Sequence, residues 1–347
     1  MANPPPSPPP PPQQQPPSPS TSAAPVIPPL TRYLLDLHIS PSPLPPLTTL
    51  TPHLPAPLQS QIQKFLFPKD RHMSLGSQVL KYAAVSKITG LGWRDIEFGV
   101  GEWGRPRFMG GKGDMGKGVN VEFNVSHQAG VVGLVACEQR EREGEDKVRL
   151  GIDIVCTDER ARQDLEMIRK EGGVTGWVGV YREVFSEGEL RELAGPVDWI
   201  DGEVDGEIDG GVNGGNEGDA LLSAKIRRFY AFWCLKEAYI KMTGEALLAP
   251  WLRELEFRHV RPPHPPSPPT TNPFGETVDD FEIWFKGDRI KNVAMELRAY
   301  RGNYMIATAV SLGNKGDGGE GGVVRWRDLD LDSKGGFEMF EPGKVRP

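Results

Sequence analysis

Cysteine is scarce in this chain: three in 347 residues, with no C-x-x-C pair. That excludes a disulfide scaffold and argues against a thiolate zinc site. The six histidines include no H-E-x-x-H pattern, so zinc-dependent hydrolysis has no support. No apolar run approaches the ~18 residues of a membrane span. The N-terminus lacks the basic and apolar regions of a secretion signal. A net charge of −7 is the wrong sign for non-specific nucleic-acid binding, which needs a basic face. The expectation is an intracellular, cytoplasmic protein with neither membrane nor nucleic acid among its partners.

What is abundant is proline (34) and glycine (41), and both are clustered. Fourteen of the first 29 residues are proline, a segment that cannot bury enough apolar surface to offset its ordering entropy. Residues 1–29 are therefore expected to be a disordered tail. TRYLLDLHI (31–39) is expected to pack as an edge strand on the core. The acid- and glycine-rich run 201–219, the Pro-rich run 261–275 and the Gly-rich run 313–322 are expected as surface loops. The expected division is an N-terminal subdomain over 30–150, a C-terminal subdomain over 151–312 and a C-terminal extension over 313–347.

Between these runs the periodicities are readable. Met73, Leu75, Val79, Leu80, Ala83, Ala84, Ile88 and Leu91 recur at helical spacing, bounded by Gly90 and Gly92. VNVEFNVS (119–126) alternates, with Val119, Val121, Phe123 and Val125 on one strand face. VVGLVAC (131–137) and RLGIDIV (149–155) read as further strands. The order then repeats: a long helix near 220–243 and strands near 253–260, 280–286, 292–300 and 303–312. The fold class expected is α+β, two pseudo-twofold-related subdomains, each a helix on a small antiparallel sheet, with a site between them.

Two phosphate-loop patterns fail in detail. Gly111 to Lys117 fits G-x-x-x-x-G-K, but Gly118 stands where a hydroxyl is needed. Gly99, Gly101 and Gly104 spell G-x-G-x-x-G, but Arg105-Pro106 follows where a helix should open. Three elements survive. FNVSH (123–127) ends a strand with Ser126 and His127. In GIDIV (151–155), Asp153 faces away from Ile152 and Ile154, with Val155 on its own side. In the helix RRFYAFWCLKEAYIKMTG, Phe229, Trp233, Lys236 and Ile240 share a mostly apolar side, and Glu237 and Lys241 are i, i+4 neighbours beside it. Taken one at a time, each has an ordinary structural reading; together they offer two acids for a divalent ion and cations for phosphate.

GIDIV followed some eighty residues later by WCLKEAYIK (233–241) resembles the paired signature of the surfactin-type 4′-phosphopantetheinyl transferases, G-[IV]-D with W-x-x-K-E-x-x-x-K. Gly104-Arg105-Pro106, FNVSH and Lys69-Asp70 resemble lesser elements of that family. The resemblance covers roughly residues 30–312 and implies a reaction: transfer of the phosphopantetheine arm of coenzyme A to a serine of an acyl or peptidyl carrier protein, with Mg²⁺. It implies that Asp153 and Glu237 hold the metal; Glu237 is also the expected general base, taking the serine proton directly or through a metal-bound water. His127 and Lys241 complete the catalytic set. Lys69, Arg105, Asn124, Ser126, His127, Lys236 and Lys241 are the implied contacts to coenzyme A. Val155 departs from members that carry a third carboxylate there, so a water or Gln128 is expected to complete the metal's shell. A monomer is expected. The alternative is a Pro-rich interaction protein with an inert transferase-like module.

Overall fold

A computed structural model describes residues 28–39, 41–101, 104–113, 118–139, 147–197, 216–245, 249–267, 272–312, 323–329 and 336–347. The Pro-rich tail to residue 27, most of the 201–219 insert and the Gly-rich run 313–322 lie outside those residues.

The N-terminal half begins with β1 (Leu30–Asp36), then short helices α1 (Leu44–Thr49) and α2 (Ala56–Gln63) and the long α3 (Pro68–Thr89). Pro68 opens α3 with a φ already suited to a helix, and Gly90 closes it at φ +74°. The hairpin β2 (Ile96–Val100) and β3 (Pro106–Gly111) holds the G-x-G-x-x-G run, which accordingly cradles no phosphate at a helix start. A second hairpin follows, β4 (Asn120–Gln128) and β5 (Val131–Gln139).

The C-terminal half runs β6 (Arg149–Cys156), then α4 (Ala161–Lys170), α5 (Val174–Gly179), α6 (Glu187–Ala194) and α7 (Asn216–Thr243). Strands β7 (Leu255–Arg258), β8 (Phe274–Val278), β9 (Glu282–Phe285), β10 (Asp288–Arg289), β11 (Val293–Tyr300), β12 (Tyr304–Ser311) and β13 (Phe337–Met339) complete it. Of the two four-stranded sheets, one has the order β13-β1-β5-β4 and the other β6-β12-β11-β8; β10-β9-β7 and the β2-β3 hairpin form two smaller sheets. Strand–helix–hairpin in the first half (β1, α3, β4-β5) matches strand–helix–hairpin in the second (β6, α7, β11-β12), and these three strands have the same order in each sheet, β1-β5-β4 and β6-β12-β11. The expected α+β pseudo-repeat is present.

Each helix covers its own sheet. Gly76 of α3 sits so close to β1 that an added Cβ would lie 2.8 Å from Leu35. Gly151 of β6 is tighter: its Cβ would meet the Ala238 carbonyl oxygen at 2.0 Å and the Met242 nitrogen at 2.7 Å, both backbone of α7. Only glycine lets α7 lie that near the strand. The apolar faces of the two sheets then meet, with Leu34, Val131 and Val135 packed against Ile152, Ile154 and Ile306.

Three expectations change here. β1 is not an edge strand, because residues from the C-terminal extension return as β13 and pair with it in parallel, Arg32 opposite Phe337. The Pro-rich run 261–275 is anchored where it is described. Arg261 pairs with Glu276, the Pro263 carbonyl accepts from Arg227 at 2.9 Å, and Phe274 opens β8. The end of the acid-rich insert forms the first turn of α7, which starts at Asn216 rather than near 220.

Candidate active site

The halves are joined along the open edge of β6, which pairs with β12 on its other side only. Alternate residues of β4 bridge this edge. The Asn124 Oδ1 accepts from the Ile152 amide at 3.0 Å, and the Ser126 hydroxyl donates to Asp153 Oδ1 at 2.9 Å. Arg105 donates to the Leu150 carbonyl at 2.8 Å and lies 3.3 Å from Glu122. Polar side chains on a strand that crosses another half's edge satisfy backbone groups that would otherwise be buried alone.

Lys241, from the last turn of α7, completes the centre. Its Nζ donates to Asp153 Oδ1 at 2.6 Å and to Ser126 Oγ at 2.9 Å. Three elements from both halves thus converge on one carboxylate oxygen. Burial alone would lower the Lys241 ammonium, but Asp153 and then Glu237 outweigh it, and the group is held charged above its ordinary value. Glu237 lies one helical turn earlier. Burial, and then repulsion from Asp153, push its carboxyl up to about 7, with Lys241 opposing. His127 points from the other face of β4, its Nδ1 3.4 Å from Ser77 Oγ of α3. Burial and the Lys241 charge lower it, while Asp70 and Asp153 pull the other way.

Ser126, Asp153, Glu237 and Lys241 are therefore brought together, with His127 beside them. Other expected residues go elsewhere. Lys236, expected to contact coenzyme A, is 1 % exposed on the opposite side of α7. It pairs with Glu189 at 2.8 Å and donates to the Leu252 and Leu255 carbonyls. Glu189 in turn accepts from the Ser186 and Phe257 amides, so this ion pair ties α6, α7 and β7 together. The carbonyl oxygen of the Asn124 side chain is committed to Ile152, a role at the seam. Lys69 is exposed at the start of α3, while its neighbour Asp70 is the residue felt by His127.

Val155 does share a strand face with Asp153, but it is 2 % exposed among Trp177, Phe229 and Phe232. The face expected to look toward a metal is, at this position, core. Gln128 donates to Glu159 at 2.8 Å. Among the described residues no cluster of three or more His, Cys, Asp or Glu side chains forms a metal cage. The pair Asp153 and Glu237 nonetheless fits a hard divalent cation that keeps waters and substrate oxygens in its shell. Burial and then repulsion from Asp153 raise Glu237, and such a cation would offset both.

Beside this centre lies a cleft of about 280 Å³ lined by Arg105, Arg107, Lys147, Arg149, Thr243 and Gly244 among others. Arg149 donates to the Thr243 carbonyl at 3.0 Å. Arg107, Lys147 and Arg149 were not singled out from the sequence. Their clustering depends on the β3 hairpin folding back toward β6 and α7, which spacing does not reveal.

Residues 42–139 match the family described as 4′-phosphopantetheinyl transferase, N-terminal, and residues 149–297 match the 4′-phosphopantetheinyl transferase superfamily. The chain is 36 % identical to the 4′-phosphopantetheinyl transferase of Aureobasidium melanogenum over 280 residues, 73 % of this chain and 81 % of that one. It is 35 % identical over 331 residues to the 4′-phosphopantetheinyl transferase NpgA of Emericella nidulans, 89 % of this chain and 91 % of that one. The 4′-phosphopantetheinyl transferase A of Aspergillus fumigatus is 34 % identical over 320 residues, 82 % and 83 % of the two chains. With acid, lysine and serine drawn from both halves of one repeat, and relatives that span most of its length, this chain belongs to the 4′-phosphopantetheinyl transferase superfamily.

Proposed function

We propose that the chain transfers the 4′-phosphopantetheine arm of coenzyme A to a serine of an acyl or peptidyl carrier protein, with Mg²⁺, as a surfactin-type member of its family. The observation that carries this reading is the convergence of Ser126, Asp153 and Lys241, with Glu237 one turn away, across the seam of the two halves.

The carrier serine oxygen attacks the phosphorus that bears pantetheine. The bond from that phosphorus to the bridging pyrophosphate oxygen breaks, and 3′,5′-ADP leaves. Glu237 accepts the serine proton; burial and then Asp153 raise its carboxyl to about 7 in the metal-free protein, and a bound cation would lower it again. Lys241, held charged by Asp153, faces the pyrophosphate and offsets charge gathering on the leaving group. Mg²⁺, held by Asp153 and Glu237, would supply further positive charge there. Ser126 fixes the Asp153 carboxylate and the Lys241 ammonium in one geometry. In this reading His127, Arg105 and its basic cleft, and Lys69 contact the other phosphates of coenzyme A.

A division near residue 150 is supported by the break between β5 and β6 and by the two matched family regions. A cytoplasmic location is supported by three buried, unpaired cysteines, and among the described residues no helix is long and apolar enough to cross a membrane.

The test is direct. The protein is incubated with coenzyme A, Mg²⁺ and an apo carrier domain, and the carrier is weighed. A gain of one phosphopantetheine supports the reading; an unchanged carrier mass across acyl and peptidyl carriers contradicts it.

A further inference from the structure

Ser77 is an uneconomical choice for its place in α3. It is 7 % exposed, in a stretch where Leu75, Gly76 and Val79 through Val85 are buried as well. Its hydroxyl donates to the Met73 carbonyl at 2.9 Å, an oxygen that the α-helix already supplies with the Ser77 amide. The fold gains little from that second bond, and alanine is the better helix former. What serine has beyond alanine here is an oxygen lone pair, and it faces His127 Nδ1 at 3.4 Å.

The heavy-atom positions assign the hydrogens. The Ser77 hydroxyl has one, given to Met73, so toward the imidazole it accepts. Nδ1 then carries the ring's hydrogen, and neutral His127 is left with a bare Nε2. Among the described residues this is the one hydrogen bond the ring makes. Ser77 is buried and His127 is exposed, so the ring is held at its inner nitrogen and presents Nε2 outward. Ser126, the preceding residue of β4, points to the opposite face, where it meets Asp153 and Lys241 at 2.9 Å each. The charges of both those residues are felt by the imidazole, so the ring belongs to the edge of the same centre.

We propose that Ser77 is a positioning residue for coenzyme A: it accepts from Nδ1 of His127 and thereby aims Nε2 at a phosphate of that substrate. This rests on the transferase reading and on the phosphate contact of His127 within it. The hydrogen between Nε2 and the phosphate oxygen comes with either partner, since imidazole and phosphate both exchange protons near neutral pH. Contacts of this kind are long in a free site and tighten on the bound ligand, and the 3.4 Å separation leaves room for that.

The first readout is the ¹⁵N spectrum of histidine-labelled full-length protein without ligand, at about pH 8 where the ring is neutral. The His127 signals are identified by their loss in His127→Ala. Wild type should carry the hydrogen on Nδ1, and Ser77→Ala should move it to Nε2. The second is steady-state kinetics with saturating carrier. Ser77→Ala should raise KM for coenzyme A about fivefold, the worth of one hydrogen bond, with kcat within about twofold. Its Tm should equal or exceed that of wild type. Ser77→Thr keeps a hydroxyl able to bond the Met73 carbonyl and should recover most of the lost affinity. In a His127→Ala background, Ser77→Ala should change KM by less than about twofold.

A wild-type protein that modifies no carrier overturns the transferase reading and this role with it. Active wild type with the hydrogen on Nε2 overturns the role of Ser77 alone. So does an unchanged KM in Ser77→Ala, or a rise just as large without His127, which is lost packing. Should Ser77→Ala not fold, the wild-type spectrum decides.

Discussion

Lys236 and Glu189 form an ion pair at 2.8 Å with both side chains almost fully buried. The lysine belongs to the WCLKEAYIK run by sequence, yet it holds α7 to α6 and β7 on the side away from Asp153. Lys236→Ala should therefore act on stability. Removing one member of a buried pair costs about 3–5 kcal/mol because the other is left uncompensated. Urea unfolding should show that loss, and the fraction still folded should bind coenzyme A as wild type does. An unchanged midpoint with weakened coenzyme A binding would return Lys236 to the site.

Val155 tests which groups the metal position can recruit. A glutamate there would be forced among Trp177, Phe229 and Phe232 without a partner. Burying an unpaired carboxylate is among the costliest single changes. Val155→Glu is expected to unfold or strongly destabilise the protein rather than lower its Mg²⁺ requirement. A folded variant with a lowered requirement would show that position 155 reaches the ion.

Much of this arrangement is legible in the sequence, and the failures share a cause. Alternation in β4 and β6, and helical spacing in α3 and α7, assign faces correctly, so Asp153, Glu237 and Lys241 follow. Face assignment does not say what covers a face. Val155 and Asp153 share one, but the first lies under the aromatic cluster and the second under the end of α7. Lys236 stood on a mostly apolar helix side in the sequence, which is the signal of a buried charge; only Glu189, 47 positions away, explains how it is tolerated. The pairing of β13 with β1 joins the two ends of the chain, and no local pattern encodes it.

His127 stands beside the Ser126–Asp153–Lys241 cluster and faces α3. His127→Ala should raise KM for coenzyme A more than it lowers kcat, as expected for a group that binds a phosphate remote from the reacting one. Steady-state kinetics with saturating carrier measures this. A fall in kcat alone would place the imidazole in the proton transfer.

Glu237 should cost stability in metal-free protein. Its folded value of about 7 lies above the ordinary 4.5, so the folded state holds the proton more tightly than the unfolded chain. The associated stability is complete below the unfolded value and is lost as pH rises from there through the folded value. Glu237→Gln, neutral throughout, should raise Tm at pH 8 in chelator and raise it much less at pH 5. Equal effects at both pH values would show that burial and Asp153 do not raise this carboxyl in the folded protein.

The central claim is that Asp153 and Glu237, brought from β6 and α7 to one place, carry the transfer chemistry. The most direct measurement is the mass of an apo carrier domain after incubation with coenzyme A, Mg²⁺ and either wild type, Asp153→Ala or Glu237→Ala, each checked for an unchanged circular dichroism spectrum. Wild type should convert the carrier to its phosphopantetheinylated mass, and both folded variants should leave it unmodified over the same interval. Conversion at a near wild-type rate by either folded variant would contradict the account.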